Sequence, residues 1–292
     1  MKIAGFTIIK NAVVNDFPIV EAIQSILPVV DEMIVLIGDC TDETVALIET
    51  IGDPKIKIHH SVWDKSLRKG GVVLAVETDK AFNYIDDSFD WAFYIQGDEV
   101  VHEKYHSAII EACHTYKSDL AVQGLLFKYK HFFGTYDYVG DSRKWYAHEV
   151  RIIRNNKNIS AYRDAQGFRI GKTKLPVAEI NASIYHYGWV KSPEQMRKKQ
   201  KESSVFWNDD TQMEKIISSP DYYDFSGFDS LEKFTGTHPL VMKDRIIKKN
   251  WVIDLDISKK KFSFKNKILY YFEKWTGIRP FDFRNYKIIR NK

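Results

Sequence analysis

Short apolar runs alternate with helix-periodic segments through the first 116 residues, and this alternation restricts the fold more than any other feature. Continuous apolar or β-branched runs predict strands, and apolar residues spaced three or four apart predict the helices between them. The predicted strands are residues 2–9, 32–37, 56–60 and 91–95, and the predicted helices are residues 16–27, 45–51, 71–81 and 105–116. Repeated β-α units of this length predict an α/β fold, in which helices cover both faces of a mostly parallel sheet.

The regular alternation ends near residue 119. Residues 120–129 and 149–154 predict two further strands, whereas residues 131–148 are rich in Gly, Tyr and His and show no clear period. A long helix is predicted to begin at Ser192, whose hydroxyl can cap it ahead of Pro193.

These changes divide the chain into a domain at residues 1–200, with halves at 1–118 and 119–200, and a helical, basic extension at residues 201–292. The net charge of the chain is +4, yet residues 243–292 carry +10 and the remainder −6. Such asymmetry suits an anionic partner, either a membrane surface or a polyanionic acceptor, and a solvated basic face is the alternative. Nucleic acid is disfavoured because no recognised binding module accompanies the charge.

One segment of this extension has an amphipathic pattern. Ile268, Leu269, Phe272 and Trp275 recur at helical spacing among lysines over residues 266–275. The pattern fits an interfacial helix on an anionic membrane, and it fits equally a helix packed by its apolar face against the domain.

Cysteine content and hydropathy bear on the compartment. Cys40 and Cys113 form neither a disulfide framework nor a metal-binding spacing, which is typical of a reducing cytosol. The apolar run at residues 1–9 is too short for a signal peptide, and no stretch reaches the length of a membrane-spanning helix. We expect a cytoplasmic protein. If its basic tail binds the membrane, the tail would attach the protein peripherally to the inner face.

Polar segments follow each of the first four predicted strands. They are Lys10 and Asn11, residues 38–44 with Asp39, residues 63–71 with Arg68 and Lys69, and the run Gln96, Gly97, Asp98 and Glu99. Because the carboxyl ends of parallel strands meet at one edge of a sheet, we expect these segments to converge on a nucleotide site. Carboxylates at that edge suit Mg²⁺ or Mn²⁺ holding phosphates, and a helix-capping role for Asp98 is the alternative.

Known nucleotide-binding motifs narrow the class of nucleotide site that the chain can form. The first β-α turn lacks the G-x-G-x-x-G of dinucleotide folds, and the chain has no G-x-x-x-x-G-K-[ST]. Enzymes that transfer a nucleotide to a sugar phosphate have a similar sheet, but their first loop is usually rich in glycine. Here that loop reads Lys10, Asn11 and then Ala-Val-Val, without glycine.

The same polar segments resemble the motifs of a known enzyme family. Residues 6–52, with Lys10-Asn11, Asp31-Glu32 and the run D-C-T-D-E-T at 39–44, resemble glycosyltransferase family 2 enzymes of the GT-A fold. The similarity is to the branch with K-N-E and D-E-I-I-V-V-D-T-G-S-T-D-x-T motifs, and it extends over roughly residues 3–200. The segment I-Y-H-Y-G at 184–188 resembles the late I-x-H-Y of that family, and Gln96-Gly97-Asp98 falls at its D-x-D.

The resemblance implies a hexosyltransferase that uses a nucleotide-sugar donor and a divalent cation to glycosylate a glycan or glycolipid of the cell surface. Asp98 and His186 would contact the metal, and the nucleotide-sugar would meet Lys10, Asn11, Asp39, Arg68, Lys69, Gln96 and Gly97. Two positions depart from the family: Ile37 stands where its nucleotide-contacting Asp lies, and Gln96 replaces the first Asp of D-x-D.

Inverting sugar transfer also requires a carboxylate to take the proton of the acceptor hydroxyl. The resemblance implies that this base follows the first half, and Asp164 is the first choice, with Glu149 as the alternative. His131, Tyr136, Trp145 and Tyr146 are candidate acceptor contacts, or else buried anchors of their loops. A rival interpretation is a non-catalytic glycan- or partner-binding relative that has lost the first D-x-D carboxylate.

Overall fold

The computed structural model describes residues 1–258 and 260–289. Within them the strands are β1 Ile3–Ile9, β2 Glu32–Ile37, β3 Ile56–His60, β4 Trp91–Tyr94, β5 Glu99–Val101, β6 Gly124–Gly134, β7 Tyr138–Gly140, β8 His148–Arg154, β9 Ile159–Tyr162, β10 Gly167–Ile170, β11 Thr173–Val190, β12 Leu231–Lys233 and β13 Tyr286–Ile288. The α-helices are α1 Ile19–Ile26, α2 Thr44–Glu49, α3 Val72–Asn83, α4 His106–Thr115, α5 Pro193–Ser203, α6 Asp210–Ile217, α7 Lys243–Ile247 and α8 Phe264–Thr276.

The first half forms the parallel part of a mixed sheet. Strands β3, β2, β1 and β4 lie in that order, and each neighbouring pair is parallel. All seven residues of β1 are buried because helices cover both faces of the sheet. Ile3 and Ile9 pack with α1 and α4 on one face, and Phe6 and Ile8 pack with α3 on the other. The predicted α/β fold class is confirmed.

The second half is mainly antiparallel. Strand β8 pairs antiparallel with β4, β6 pairs antiparallel with β8, and the 18-residue β11 runs parallel to β6. Strand β11 was not predicted. Its period is interrupted by Pro176 and by two register shifts, one between Glu179 and Ser183 and one between His186 and Trp189.

One predicted helix start is wrong. The interval 16–27 places Asp16 at the beginning of α1, but α1 begins at Ile19 after Pro18 and has no side-chain cap. Asp16 instead has a φ of 49° and pairs with Arg245 at 2.5 Å. By contrast, Ser192 caps α5 as predicted, since its hydroxyl accepts the Gln195 N–H at 3.1 Å.

The C-terminal part combines helices with two short strands. Strand β12 pairs with β7, and β13 adds to the sheet beside β11. The predicted extension at 201–292 is described except for Lys259 and residues 290–292, which lie outside the described residues. In the described part of the chain, no helix has the length and apolar character to cross a membrane.

Candidate active site

A cavity of about 510 Å³ lies at the carboxyl ends of β1 and β4. It is also bordered by the turn between β9 and β10, by β11 and by α5. Seven of the residues that the sequence singled out line it: Lys10, Gln96, Gly97, Asp98, Tyr146, Asp164 and His186. They come from segments up to 176 residues apart in sequence, so the folding of the sheet brings them together.

A second cavity of about 300 Å³ is lined by several of the same residues. Lys10, Asn15, Trp63 and Phe206 line both cavities, and Asn11 and Arg68 line the smaller one. The two volumes therefore share a wall of one lysine, one amide and two aromatic rings. Together they are in the size range of small-molecule and cofactor sites.

An ion pair joins the ends of β1 and β2 at this shared wall. Lys10 Nζ lies 2.6 Å from Asp39 Oδ1, and the same oxygen accepts the Trp63 N–H at 3.0 Å. Burial acts to raise the pKa of Asp39, but the bonds from Lys10 and Trp63 hold it below its ordinary value. Asn11, with a φ of 51°, accepts the Thr41 N–H through Oδ1 at 2.8 Å. The polar segments after the first two strands are thus tied together.

Asp98 lies between a histidine and a lysine. Its Oδ2 lies 3.5 Å from His186 Nε2 and 3.3 Å from Lys199 Nζ. Burial acts to raise the pKa of Asp98, but His186, Lys199 and Lys191 hold it well below its usual range. Asp98 is therefore ionised and lines the cavity. The alternative role of Asp98 as a helix cap does not apply, since His102 caps the helical turn that follows.

Gly188 allows these groups to approach one another. A Cβ at this position would overlap Asp98 Oδ2 and would lie 2.7 Å from His186 Nε2. Lys199, on α5, is fixed on the other side of Asp98 because its ammonium donates to the Gly188 carbonyl at 2.9 Å. Lys199 could not be singled out from the sequence, since four basic residues lie at positions 197–201 and only the docked helix shows which one faces Asp98.

Asp98 and His186 are a partial ligand set for a cation. A carboxylate oxygen and an imidazole nitrogen both suit Mn²⁺, and the diphosphate of a bound nucleotide would have to complete its coordination. Glu99 contributes nothing here, since its side chain is fully buried and faces Arg151. Among residues 1–258 and 260–289, no group of three or more His, Cys, Asp and Glu side chains could hold a metal ion.

Asp164 lies at the tip of the β9–β10 turn. Arg163 and Ala165, on either side of it, have φ values of 59° and 60°, which are sparsely populated for such residues. Gln96 Nε2 donates to the Ala165 carbonyl at 3.3 Å and supports the turn. The Asp164 carboxylate has no hydrogen bond or ion pair with any residue that the structure describes, and it lines the cavity. Its oxygens are therefore available to a molecule bound in the cavity.

Glu149 belongs to a buried cluster beneath the cavity. Arg151 donates to both oxygens of Glu99, through Nε at 3.0 and 2.9 Å and through Nη2 at 2.6 Å, and neither side chain is exposed. Tyr129 also donates to Glu99. Glu149 Oε2 is left 3.8 Å from Arg151 Nη1 and has no hydrogen bond. Burial raises the pKa of Glu149 to about 8 despite Arg151, and Glu149 is not among the residues that line the cavity.

The proposed acceptor contacts separate into two places. His131, Trp145 and Tyr146 line a third cavity of about 360 Å³, and Tyr146 also lines the first. Tyr136 is buried among Tyr187, His238 and other rings and lines none of the three cavities. His131 and Trp145 therefore remain placed for an acceptor beside the first cavity, whereas Tyr136 has the role of a buried anchor.

The two basic residues before α3 also differ. Arg68 pairs with Asp210 at 2.5 Å and donates to the Asn208 carbonyl at 3.2 Å, so it fastens the segment before α6 over the second cavity. Lys69 is exposed and lines none of the three cavities. Only Arg68 is in a position to meet a ligand in the smaller cavity.

Comparisons with known proteins give structural similarities only. No protein-family model matches the chain, and no curated protein matches it. Among solved structures, the 1–349 fragment of S. aureus TarS in complex with UDP-GlcNAc has a TM-score of 0.40 and 13% identity, covering 75% of this chain and 71% of that one. For another structure of S. aureus TarS the TM-score is 0.36 with 14% identity, and the match covers 75% of this chain and 42% of that one.

Two other solved structures are similar over shorter stretches. Glucosyl-3-phosphoglycerate synthase from Mycobacterium tuberculosis, in complex with Mn²⁺, UDP and phosphoglyceric acid, has a TM-score of 0.31 and 18% identity over 44% of this chain and 43% of that one. The 4-diphosphocytidyl-2C-methyl-D-erythritol synthase from Anaerococcus prevotii has a TM-score of 0.32 and 11% identity over 53% and 71%. We therefore base the functional proposal on the residues of the cavity.

Proposed function

We propose that the protein is an inverting glycosyltransferase of the GT-A fold, similar to family 2, which transfers a sugar from a nucleotide-sugar to a hydroxyl of a glycan or glycolipid. The observation that carries the proposal is the pairing of two features in one cavity. Asp98, His186 and Lys199 form a charged group on one side, and the unpaired Asp164 carboxylate also lines it. Sugar transfer needs both, one for the leaving diphosphate and one for the acceptor proton.

The nucleotide is best accommodated on the side of β1 and β2. Lys10 and Asn11 present polar groups there, and the rings of Trp63 and Phe206 offer surfaces on which a base can stack. The two rings contact each other, with centroids 5.2 Å apart. A base in the smaller cavity leaves the larger one for the diphosphate and the sugar.

Departure of the diphosphate is assisted by positive charge. Lys199 and His186 lie within 3.5 Å of Asp98 Oδ2 and can turn towards phosphate oxygens, where fixed charges stabilise the transition state. A Mn²⁺ or Mg²⁺ ion held by Asp98 and His186 would supply Lewis-acid neutralisation of the same charge. Burial lowers the pKa of Lys191, behind this group, to about 7, so Lys191 adds to the positive potential mainly below neutral pH.

Asp164 is the proposed base. As the acceptor oxygen forms its bond to the anomeric carbon, the bond from that carbon to the diphosphate breaks, and Asp164 takes the proton of the acceptor hydroxyl. The rigid turn on which Asp164 lies, with Gly71 packed against its Cβ, restricts the carboxylate to this side of the cavity. Glu149 is less suited, because it is buried beside Arg151 and does not line the cavity.

The test is a turnover assay with a panel of nucleotide-sugars, in which released nucleoside diphosphate is measured for the wild type and two variants. Asp164→Asn is expected to lower kcat at least about a hundredfold while nucleotide binding is retained, the usual size of a general-base effect. Asp98→Ala is expected to lower both binding and turnover. The control is Asp87→Asn, an exposed aspartate that lines none of the three cavities.

Three outcomes would contradict the proposal. Unchanged turnover in Asp164→Asn would exclude it as the base and return the role to Glu149. Release of a sugar 1-phosphate in place of a nucleoside diphosphate would indicate nucleotidyl transfer, since attack on the α-phosphate of a nucleotide-sugar expels that group. Absence of turnover with every donor, in a protein that still binds glycans, would favour the non-catalytic interpretation.

A further inference from the structure

Helix α8 has its apolar residues on the outside. Phe264, Ile268, Tyr271, Phe272 and Trp275 are all exposed, with Phe264 at 82% and Trp275 at 87%. At about 100° per residue, their spacing of four, seven, eight and eleven positions places them in one stripe along the helix. A helix of a water-soluble domain normally buries such a stripe, so this one is unpartnered in the described residues.

The side of α8 that faces the body of the protein is polar. Tyr270 donates to Asp141 at 2.6 Å, Glu273 pairs with Arg143 at 2.8 Å, and Lys274 pairs with Glu232 at 2.9 Å. Of these residues only Tyr270 is a buried ring. The prediction that the apolar face of this helix packs against the domain is therefore wrong for this structure, and the other interpretation, an interfacial helix, is left.

Lysines border the apolar stripe. Lys267 lies along one edge and Lys265 along the other, by the same helical geometry, whereas Lys274 is held to the body by Glu232. Their long side chains can place the ammonium at a polar boundary while the stems cover apolar surface. Beyond the helix, Ile278, Phe281 and Phe283 are also exposed. Apolar residues flanked by basic ones are the pattern of a helix that lies in a membrane interface.

We propose that the outer face of α8 docks on an anionic lipid bilayer, with its apolar stripe in the headgroup–acyl boundary and its lysines on lipid phosphates. Charge complementarity selects this occupant over a second copy of the chain. In a symmetric pair the same helix would face itself, and it carries three lysines against one glutamate, a net charge of +2. An anionic surface removes that repulsion. The inference does not depend on the proposed enzymatic activity.

The test is co-sedimentation of the full chain with vesicles of phosphatidylcholine, alone or mixed with phosphatidylglycerol. The wild type is expected to bind the mixed vesicles and to bind neutral ones much more weakly. The triple variant Ile268→Ser/Phe272→Ser/Trp275→Ser is expected to lose about tenfold or more in affinity. Its thermal midpoint should match that of the wild type, because the substituted side chains are exposed.

Matched controls separate this surface from general stickiness and charge. Val62→Ser/Leu120→Ser/Val252→Ser removes three equally exposed apolar side chains elsewhere and should leave binding unchanged. Lys265→Gln/Lys267→Gln should weaken binding to mixed vesicles about fivefold for each lysine, whereas the exposed pair in Lys172→Gln/Lys174→Gln should not.

The proposal is overturned by equal binding to neutral and anionic vesicles, by no binding to either, or by equal losses in the control variants. It is also overturned if the wild type forms a dimer in solution that the α8 triple variant abolishes, since a second copy would then be the occupant.

Discussion

Replacing Glu149 by Gln should stabilise the protein in a pH-dependent way. Burial raises the pKa of Glu149 to about 8, compared with 4.5 in an exposed position, because Arg151 is already paired with Glu99. Between those two pH values the native state keeps a proton that the unfolded chain releases. Stability therefore falls as the pH rises from about 4.5 to about 8, and this group adds no further loss above that.

The size of the effect follows from the same values. One pH unit of this difference corresponds to about 1.4 kcal/mol, so the full interval sets an upper bound of about 5 kcal/mol. The pKa of about 8 already includes the attraction to Arg151 at 3.8 Å. Relaxation and entry of water around the ionised carboxylate lower the cost further, and we expect about 2 kcal/mol. Glu149→Gln resembles the protonated form, so its advantage should be near zero at pH 5 and reach about 2 kcal/mol at pH 9.

Urea unfolding followed by tryptophan fluorescence, at several pH values between 5 and 9, measures this advantage. Glu111→Gln, on the exposed side of α4, is the control and should follow the wild type throughout. If the free energies of unfolding of wild type and Glu149→Gln run parallel across the pH range, Glu149 is ionised in the native state and the reasoning about the buried cluster is refuted.

Two further predictions concern the buried pair and the cavity. Glu99→Gln should lower the free energy of unfolding by about 3–5 kcal/mol, because it leaves Arg151 buried without its carboxylate. The double variant Glu99→Met/Arg151→Met should recover much of this loss in the same assay. A double variant no more stable than the single one would show that the buried charge is not the cause. Lys199→Met should weaken binding of a nucleoside diphosphate about tenfold in calorimetry without added cation, as expected for a lost charged hydrogen bond. Lys198→Met replaces an exposed lysine and should leave the affinity unchanged. Equal affinities for the two variants would exclude Lys199 from the diphosphate site.

Most of the parallel half of the fold could be predicted because its inner strands are covered on both faces. Strand β2 begins and ends at the predicted residues, since a buried parallel strand appears in sequence as a continuous apolar run. Strand β3 also matches the predicted residues, but it is a partly exposed edge strand that alternates Ile with polar residues. Strand β11 could not be found in this way. It is interrupted by Pro176 and by changes of register, and its partners β5 and β6 are distant in sequence.

In the candidate site, too, some residues could be placed from the sequence and others could not. The polar segments at the ends of β1 and β4 could be placed from topology alone, because parallel strands end at a common edge. Which side chains face the cavity depends on packing. Lys199 and Tyr136 illustrate this in opposite ways: one of several adjacent basic residues lies beside Asp98, and a tyrosine in a loop-like segment is buried. For α8, the amphipathic pattern correctly predicted a helix. The pattern did not determine which face of that helix contacts the body of the protein.

The central claim is that the cavity between β1, β4 and α5 binds a nucleotide-sugar. Calorimetric titration of the wild type with uridine, guanosine and thymidine diphosphate sugars, with and without Mn²⁺, measures this directly. We predict that one nucleotide class binds, that its free diphosphate competes, and that Asp98→Ala removes any gain in affinity from Mn²⁺. No binding of any nucleotide-sugar or nucleoside diphosphate under either condition would contradict the account.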